Sequence, residues 1–422
     1  MRPVWSTTRF ALPIGLTLLL LGARLVAVPT LSDPVSGPAP SSLHLATPPA
    51  YLVLAPLFTL WDGASMLSMS RLHGLLIGLA LLYLLWRSWR AFGPRRGHSL
   101  MVELRTLAVS LALLLTFLIT GAVWHRPMLA LAGVEPGDLV VDFHSHTNVS
   151  HDVQNTWMRG FDTEANRRWH NRAGFDAVFI TDHNVVTSHE SRVTTGEAPI
   201  LCPGIEVSAW RSHIVLLGDS LPVDRSRYNR SLDALLTLLR VSDSTYGALS
   251  VASLPEYRRN HWGRLDTLVA AGLDGFEIVN AAPMANEITR MDRDSVIKVA
   301  RSRNRFVVGV NDSHGWGATS MVWNLVRVTG TQTGSDRCGA VLRRLQDGFG
   351  AVQVIERHRL RPDDWWPMWL TPVGLVWETW RSMGWTLTAA WIAWIWVFAA
   401  GRVWIRNLLR PAHLKVKIAN AS

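Results

Sequence analysis

Cysteine is nearly absent: Cys202 and Cys338 are the only two in 422 residues. They are too few and too far apart for a zinc-finger spacing or a disulfide framework. That leaves one bridge or, the expectation here, two buried structural thiols. Lysine is almost as scarce, with Lys298, Lys415 and Lys417 the whole complement, so arginine carries the formal charge of +10. The sequence also lacks any recognised nucleic-acid motif or basic-aromatic strand pattern, which argues against the partner a basic chain most readily suggests. One further gap is local: no Lys or Arg occurs between Val28 and Arg71.

What the chain has instead is long apolar runs. Residues 1–136 form an N-terminal membrane region with expected spans near 10–28, 72–88 and 106–125, and a fourth lies near 384–403. The apolar stretch 50–61 is too short to cross and contains Pro56, so it reads as interfacial or re-entrant. Residues 137–360 read as one mixed globular domain, large enough for a sizeable core. Residues 361–422 hold a Trp-rich segment (Trp365, Trp366 and Trp369, an aromatic belt), the last span and a basic tail. Arginines cluster beside these spans: Arg87, Arg90, Arg95, Arg96 and Arg105, then Arg402, Arg406, Arg410, Lys415 and Lys417. Positive flanks stay cytoplasmic. The expected arrangement therefore puts both termini in the cytoplasm and the globular domain outside it. The first apolar run is not read as a cleaved signal peptide, because no small-residue cleavage site follows it.

Within the globular region, Leu139-Val140-Val141 runs into Asp142-Phe143-His144-Ser145-His146 and on to Ser150 and Asp152. Strand side chains alternate, so His144 and His146 point the same way. Two imidazoles at a strand end with a carboxylate nearby begin a divalent-metal site. Four later segments repeat the grammar: Val178-Phe179-Ile180 before Asp182 and His183, Pro203-Gly204-Ile205 before Glu206, His213 before Ile214 to Gly218, and Phe306 to Val310 before Asp312 and His314. Short apolar runs bounded by Gly and Asp read as buried strands. Helical stretches at Ser231 to Leu239 and Ala340 to Leu345 lie between them, giving an α/β parallel sheet, a barrel or a doubly wound layer. In both architectures functional side chains gather at strand C-termini.

These motifs, His144-x-His146 with Ser150 and Asp152, Thr181-Asp182-His183-Asn184, Gly204-x-Glu206, His213 and Asp312-x-His314, resemble the PHP (polymerase and histidinol phosphatase) superfamily over roughly residues 138–355. The resemblance implies a distorted (β/α)7 barrel flanked here by transmembrane helices. It implies one metal held by His144, His146, Glu206 and Asp312, another by Asp152, His183 and His314, and a third held or bridged by Glu206 and His213. Leu254, before Pro255, stands where the family usually carries a His, which leaves the third metal open to completion by water or by a neighbour such as His261. Mixed His and carboxylate donors suit Zn, Mn or Fe. Two such ions, with room for a third, would activate water for hydrolysis of a phosphate ester associated with the membrane or envelope. The same residues leave room for hydrolysis of a non-phosphate ester or amide, and for a metal-bearing sensor without catalysis.

Other residues have plainer readings. His151 and His189 read as surface or supporting residues, His170 as part of a helix face, and Asp182 as either a ligand-orienting carboxylate or a strand-end cap. Glu277 and Asn280 resemble a pocket-lining family segment, with a structural role as an equal reading. Arg211, Arg258, Arg259, Arg301 and Arg303 each suit a phosphate but read first as surface charge.

Overall fold

The computed structural model describes residues 10–91, 100–187, 198–218, 222–317, 320–328 and 335–408. Of the residues named above, His189, Arg95, Arg96, Arg410, Lys415 and Lys417 lie outside the described residues. The strands are β1 (Leu31–Asp33), β2 (Gly37–Pro38), β3 (His44–Ala46), β4 (Ala130–Ala132), β5 (Asp138–Ser145), β6 (Ala177–Ile180), β7 (Ile200–Ala209), β8 (Ser212–Leu217), β9 (Leu249–Ala252), β10 (Gly275–Asn280), β11 (Phe306–Val310), β12 (Val322–Arg327) and β13 (Gln353–Arg357). Eleven of them form one sheet in the order β11-β10-β9-β8-β7-β6-β5-β12-β13-β1-β2, and β3 pairs with β4.

The apolar runs become strands because both faces are covered. Every residue of β6, β9, β10 and β11 is buried. Side chains alternate between two cores: Phe143 and Phe179 join one, while Val140, Val178 and Ile180 join the other with Trp169 and Trp323. The sheet is mixed rather than parallel. β8 runs antiparallel to both β7 and β9. The cause is a two-residue turn at Trp210-Arg211, with Arg211 at φ 55, that folds β7 straight back.

The expected distorted (β/α)7 barrel is not closed by a continuous ladder. β5 to β11 follow one another across the sheet and curl until the end of β5 meets the segment after β11. There Ser145 and Ser313 make a single parallel bridge. Asp312 N donates to His144 O (3.0 Å) and His146 N to Ser313 O (2.9 Å). A longer closing ladder is barred because a strand has two edges: β6 takes one edge of β5, and β12 takes the other from Asp138 to Val141.

Among the described residues, three helices are long and apolar enough to cross a membrane: Met69–Trp89, Met101–Val123 and Trp385–Ile405. The first expected span, 10–28, is shorter than read. Its helix covers Ala11–Leu25, 15 residues, about 22 Å at the usual rise and below a ~30 Å hydrocarbon core. The chain leaves the helix there because Val28 N donates to Arg381 O (3.2 Å) and Pro29 follows. The 50–61 stretch forms helices Pro49–Val53 and Ala55–Ser65, folded inward. Asp62 is fully buried and accepts from Tyr51 Oη (2.8 Å), Arg126 Nη2 (3.0 Å) and Arg357 Nη1 (2.9 Å).

These helices meet the domain along one edge of the sheet, where β5, β10, β11 and β13 end. Helix Met69–Ala91 starts on the loop after β10: Met69 N donates to Pro283 O (2.9 Å) and Ser70 Oγ to Glu287 Oε2 (2.9 Å). Helix Leu100–Val123 ends against the loop after β11, with Ala122 beside Gly317 and the His125 ring stacked 4.2 Å from Trp316. Helix Ala11–Leu25 leads into β1, whose Leu31 pairs with Arg357 at the end of β13.

Cys202 on β7 and Cys338 on helix Ser335–Leu345 form a disulfide across 136 residues, in place of the expected free thiols. Cys202 lies on the same core face as Cys338, Val341 and Leu345 of that helix, so the two buried sulfurs are brought together by sheet-on-helix packing. Cys202→Ser with Cys338→Ser should lower stability by about 2–5 kcal/mol. Thermal denaturation compared with and without reductant checks this, and the unreduced wild type, denatured, should show no free thiol.

Candidate metal centre

Eight side chains singled out in the sequence converge at the strand ends: His144, His146, Asp152, His183, Glu206, His213, Asp312 and His314. The donor atoms of seven of them, all but Asp312, form three overlapping groups that could hold a metal ion: His146, Asp152, His183 and His314; His144, His146 and Glu206; and His183, Glu206 and His213. The grouping differs in two respects from the family pattern: Asp312 falls outside the groups, beside His146 Nε2 at 3.2 Å, and some donors serve two groups. His146 lies between the first two groups, and His183 between the first and third, so the donors are shared rather than partitioned.

Distances show how crowded the centre is. His144 Nε2 and His146 Nε2 stand 3.0 Å apart. Glu206 Oε2 lies 3.1 Å from the first and 3.3 Å from the second, and Asp312 Oδ1 3.4 and 3.2 Å. Asp152 Oδ2 reaches His183 Nε2 (3.1 Å) and His314 Nε2 (2.7 Å). Glu206 Oε1 is 3.1 Å from His213 Nδ1. His183 Nδ1 is 3.2 Å from Glu206 Oε2 yet makes no hydrogen bond, a buried nitrogen without a partner among the described residues. Asp312 sits at φ 46, a left-handed conformation that aims its carboxylate back over the strand end.

Supporting contacts fix these side chains. Glu277 is fully buried, and its Oε1 accepts the His144 Nδ1 proton at 2.7 Å, which leaves the Nε2 lone pair facing the cluster. Its Oε2 accepts from Leu254 N (2.8 Å) and Asn280 Nδ2 (2.9 Å), and Asn280 Nδ2 also donates to Asp312 Oδ2 (3.1 Å). Asp142 ties the two seam strands together, accepting from Asn311 Nδ2 (3.0 Å) and His170 Nε2 (2.9 Å). His170 is thus a buried brace. Asp182 is a cap rather than a ligand-orienting group: it accepts from Thr147 N (2.6 Å), Thr147 Oγ1 (2.8 Å) and Thr187 Oγ1.

His261 does not complete the third group. Its ring points to Trp210 O at 3.2 Å. Glu256 comes nearer, with Oε2 4.0 Å from His213 Nδ1, at an open pocket that Arg211 and Asn260 also line. Of the five arginines weighed for phosphate, Arg211 alone lines this pocket. Arg258 is held by Asp292 (2.6 Å), Arg303 by Asp266 (3.0 Å), and Arg301 lies over Phe349.

Electrostatics follow from burial and neighbours. Burial works against a charged His146, but bonds from Asp312 and Glu206 outweigh it and push the imidazole up to about 10. His213, likewise desolvated, is lifted to about 9 by Glu206. Desolvation of Glu206 and Asp312 is outweighed by His144 and its neighbours, so both carboxyls fall below their usual range. Burial raises Glu256 to about 7.

A divalent cation fits this donor set. The lone pair of His144 Nε2 meets a second imidazole nitrogen at 3.0 Å, and a proton can relieve only one such contact. Carboxylate and imidazole atoms that face one another instead of outside partners are what borderline metals such as Zn, Mn or Fe accept.

No protein-family model matches the sequence, and no curated protein does so. Among solved structures, PsfC from Pseudomonas syringae is similar at 13% identity and TM-score 0.38, over 57% of this chain and 96% of that one. A protein from Bifidobacterium adolescentis, provisionally assigned as a metal-dependent phosphoesterase, is similar at 16% identity and TM-score 0.34, over 49% and 96%. An amidohydrolase from Chromobacterium violaceum, with bound sulfate and no metal, is similar at 15% identity and TM-score 0.31, over 53% and 98%. Likenesses this distant carry no argument about chemistry, which rests on the side chains described above.

Metal-free protein should show a particular pH dependence. His146 and His213 are raised above 6.5 in the folded state, so the cluster stabilises fully below that pH and loses this contribution as pH climbs through about 9 to 10. Melting curves of chelated protein should therefore fall over this alkaline window. Metal-loaded protein, whose ligand histidines are already neutral, should not show that decline.

Proposed function

We propose that the chain is a membrane-anchored, metal-dependent hydrolase of the PHP type acting on phosphate esters. The observation that carries this reading is the donor cluster, in which His144 and His146 stand 3.0 Å apart within shared reach of Glu206 and Asp312. His144, His146, Glu206 and Asp312 would hold one ion, and Asp152, His183 and His314 a second. Glu206 and His213 offer a further position beside Glu256. When bound, such ions supply water activation near neutral pH and neutralise charge on the attacking and leaving oxygens.

The chain's own residues supply the rest. Glu277 holds His144 in the tautomer whose Nε2 is a donor to metal. Asn280 Nδ2 bridges Glu277 and Asp312, fixing the carboxylate that faces both imidazoles. Ser150 Oγ donates to Asp152 Oδ1 (2.5 Å), leaving Oδ2 turned toward His183 and His314. Arg211, at the open pocket beside His213, presents a guanidinium fork to a substrate phosphate.

The membrane reading has the N-terminal and C-terminal helices spanning the bilayer, with the domain outside the cytoplasm. Three helices of sufficient length support it. So does the placing of Arg87, Arg105 and Arg402 toward the helix ends remote from the domain, as positive cytoplasmic flanks require. The disulfide fits an oxidising compartment.

The test uses the full chain in detergent, assayed on p-nitrophenyl phosphate and bis(p-nitrophenyl) phosphate before and after chelation. Hydrolysis should vanish with the metal and return on adding Zn, Mn or Fe. Asp312→Ala should lower kcat by roughly a thousandfold, the scale of losing electrostatic stabilisation in a buried site. Glu277→Gln should weaken metal affinity or activity about 10–100-fold. Metal-loaded protein inert on both esters would instead favour a sensor domain or a non-phosphate substrate.

A further inference from the structure

Two features of the site edge remain unexplained by hydrolysis alone. The first is which way the mouth faces. β10 and β11 carry Glu277, Asn280 and Asp312 to their C-terminal ends, and the loops that follow are the ones seated on the membrane helices. Pro283 and Glu287 receive the first turn of helix Met69–Ala91, Gly317 lies against Ala122 in the last turn of helix Leu100–Val123, and Trp316 stacks on His125 just past it. The strand ends that bear the metal donors therefore point at the membrane side of the molecule.

The second feature is where apolar surface is left uncovered. Among the described residues of the globular domain, the exposed large hydrophobics are Val149 (40%), Trp157 (76%), Val185 (44%), Met284 (44%) and Met291 (76%). Scattered singly they would need no explanation. They are not scattered. Val149 and Trp157 follow β5, Val185 follows β6 two residues after His183, Met284 follows β10, and Met291 opens helix Arg290–Ser302 at the same edge. The opposite edge, where the strands begin, shows none among the described residues.

We propose that this apolar collar rests in the surface of the bilayer, and that the substrate is a phosphoester headgroup of a membrane lipid or lipid-linked molecule, presented from the membrane plane. This rests on the hydrolase reading above and names its substrate class. The collar is continuous with the span ends, so the bilayer that covers the helices also covers Met284 and Trp157. Trp is suited to that depth, with an apolar ring and one polar N–H. Arg211 and the metal donors then meet an anionic headgroup at the level where phosphates lie, while the acyl chains stay in the bilayer. A freely diffusing phosphoester would gain nothing from an apolar rim.

Two measurements on the full chain in phosphatidylcholine nanodiscs test this. Both native cysteines are bridged, so an introduced cysteine is the sole free thiol. A fluorophore on Trp157→Cys or Met284→Cys should be quenched by nitroxide-headgroup lipid. The same fluorophore on Gln346→Cys, near the opposite edge, should not be. Rim labels no more quenched than Gln346→Cys would overturn the proposed orientation. The second measurement compares lipid and soluble partners of the same ester: phosphatidic acid with glycerol 3-phosphate, and phosphatidylglycerol with glycerophosphoglycerol. At least one lipid should be cleaved about tenfold faster than its soluble partner, and Trp157→Asp with Met284→Asp should reduce that ratio by a similar factor, the scale of losing one or two buried apolar side chains. Soluble esters cleaved as well as lipids would overturn the substrate class and leave the hydrolase standing. Failure on every phosphoester, p-nitrophenyl phosphate included, would overturn the phosphoesterase reading and the substrate class with it, while the quenching pattern still decides where the mouth faces.

Discussion

The structure depends on a crowd of donor atoms that cannot satisfy one another. At the seam of the curled sheet, imidazole nitrogens and carboxylate oxygens at and just beyond the ends of β5, β6, β7 and β11 come within 2.7–3.4 Å, with His144, His146, His183 and Glu206 buried from water and Asp152 and His314 partly so. Electron pairs meeting in a low-dielectric interior are costly unless a cation is shared among them. Protons can serve in part, which is why His146 is driven up to about 10 without metal. Divalent ions serve better, because one ion takes several donors at once. The braces around the cluster, Glu277, Asn280 and Asp142, hold that crowding in place.

Much of this centre was legible in the chain because strand geometry is simple. Alternation put His144 and His146 on one side, and apolar runs ending in Asp, His or Glu marked strand ends. All eight donors so marked lie together. What lay hidden depended on contacts between distant segments. Asp142 stood in the motif segment with no role assigned to it, and only the seam shows it binding Asn311 and His170. Glu277 gave a partial signal, a carboxylate at a strand end, but its pairing with His144 spans 133 residues. Asp182, balanced between two roles by sequence, is decided by Thr147 and Thr187. Glu256, not His261, approaches His213, because the short helix Glu256–Asn260 turns it inward.

The fold departs from its expectation for equally local reasons. A two-residue turn reverses β8, and the occupied edge of β5 keeps the barrel from closing with a full ladder. The disulfide reflects packing of helix Ser335–Leu345 on β7, which two isolated cysteines could not reveal. Hydropathy located the three long apolar helices but could not say which edge of the domain they would meet. That came from Met69 on Pro283 and Trp316 on His125, and it turns the donor cluster toward the side of the molecule that carries the apolar helices.

The most direct test of the central claim is anomalous diffraction from crystals of the purified chain, recorded at the absorption edges of Zn, Mn and Fe. The account predicts at least two peaks, one among His144, His146, Glu206 and Asp312 and one among Asp152, His183 and His314. Well-ordered density for these side chains with no anomalous peak between them, in crystals grown with those metals present, would contradict it.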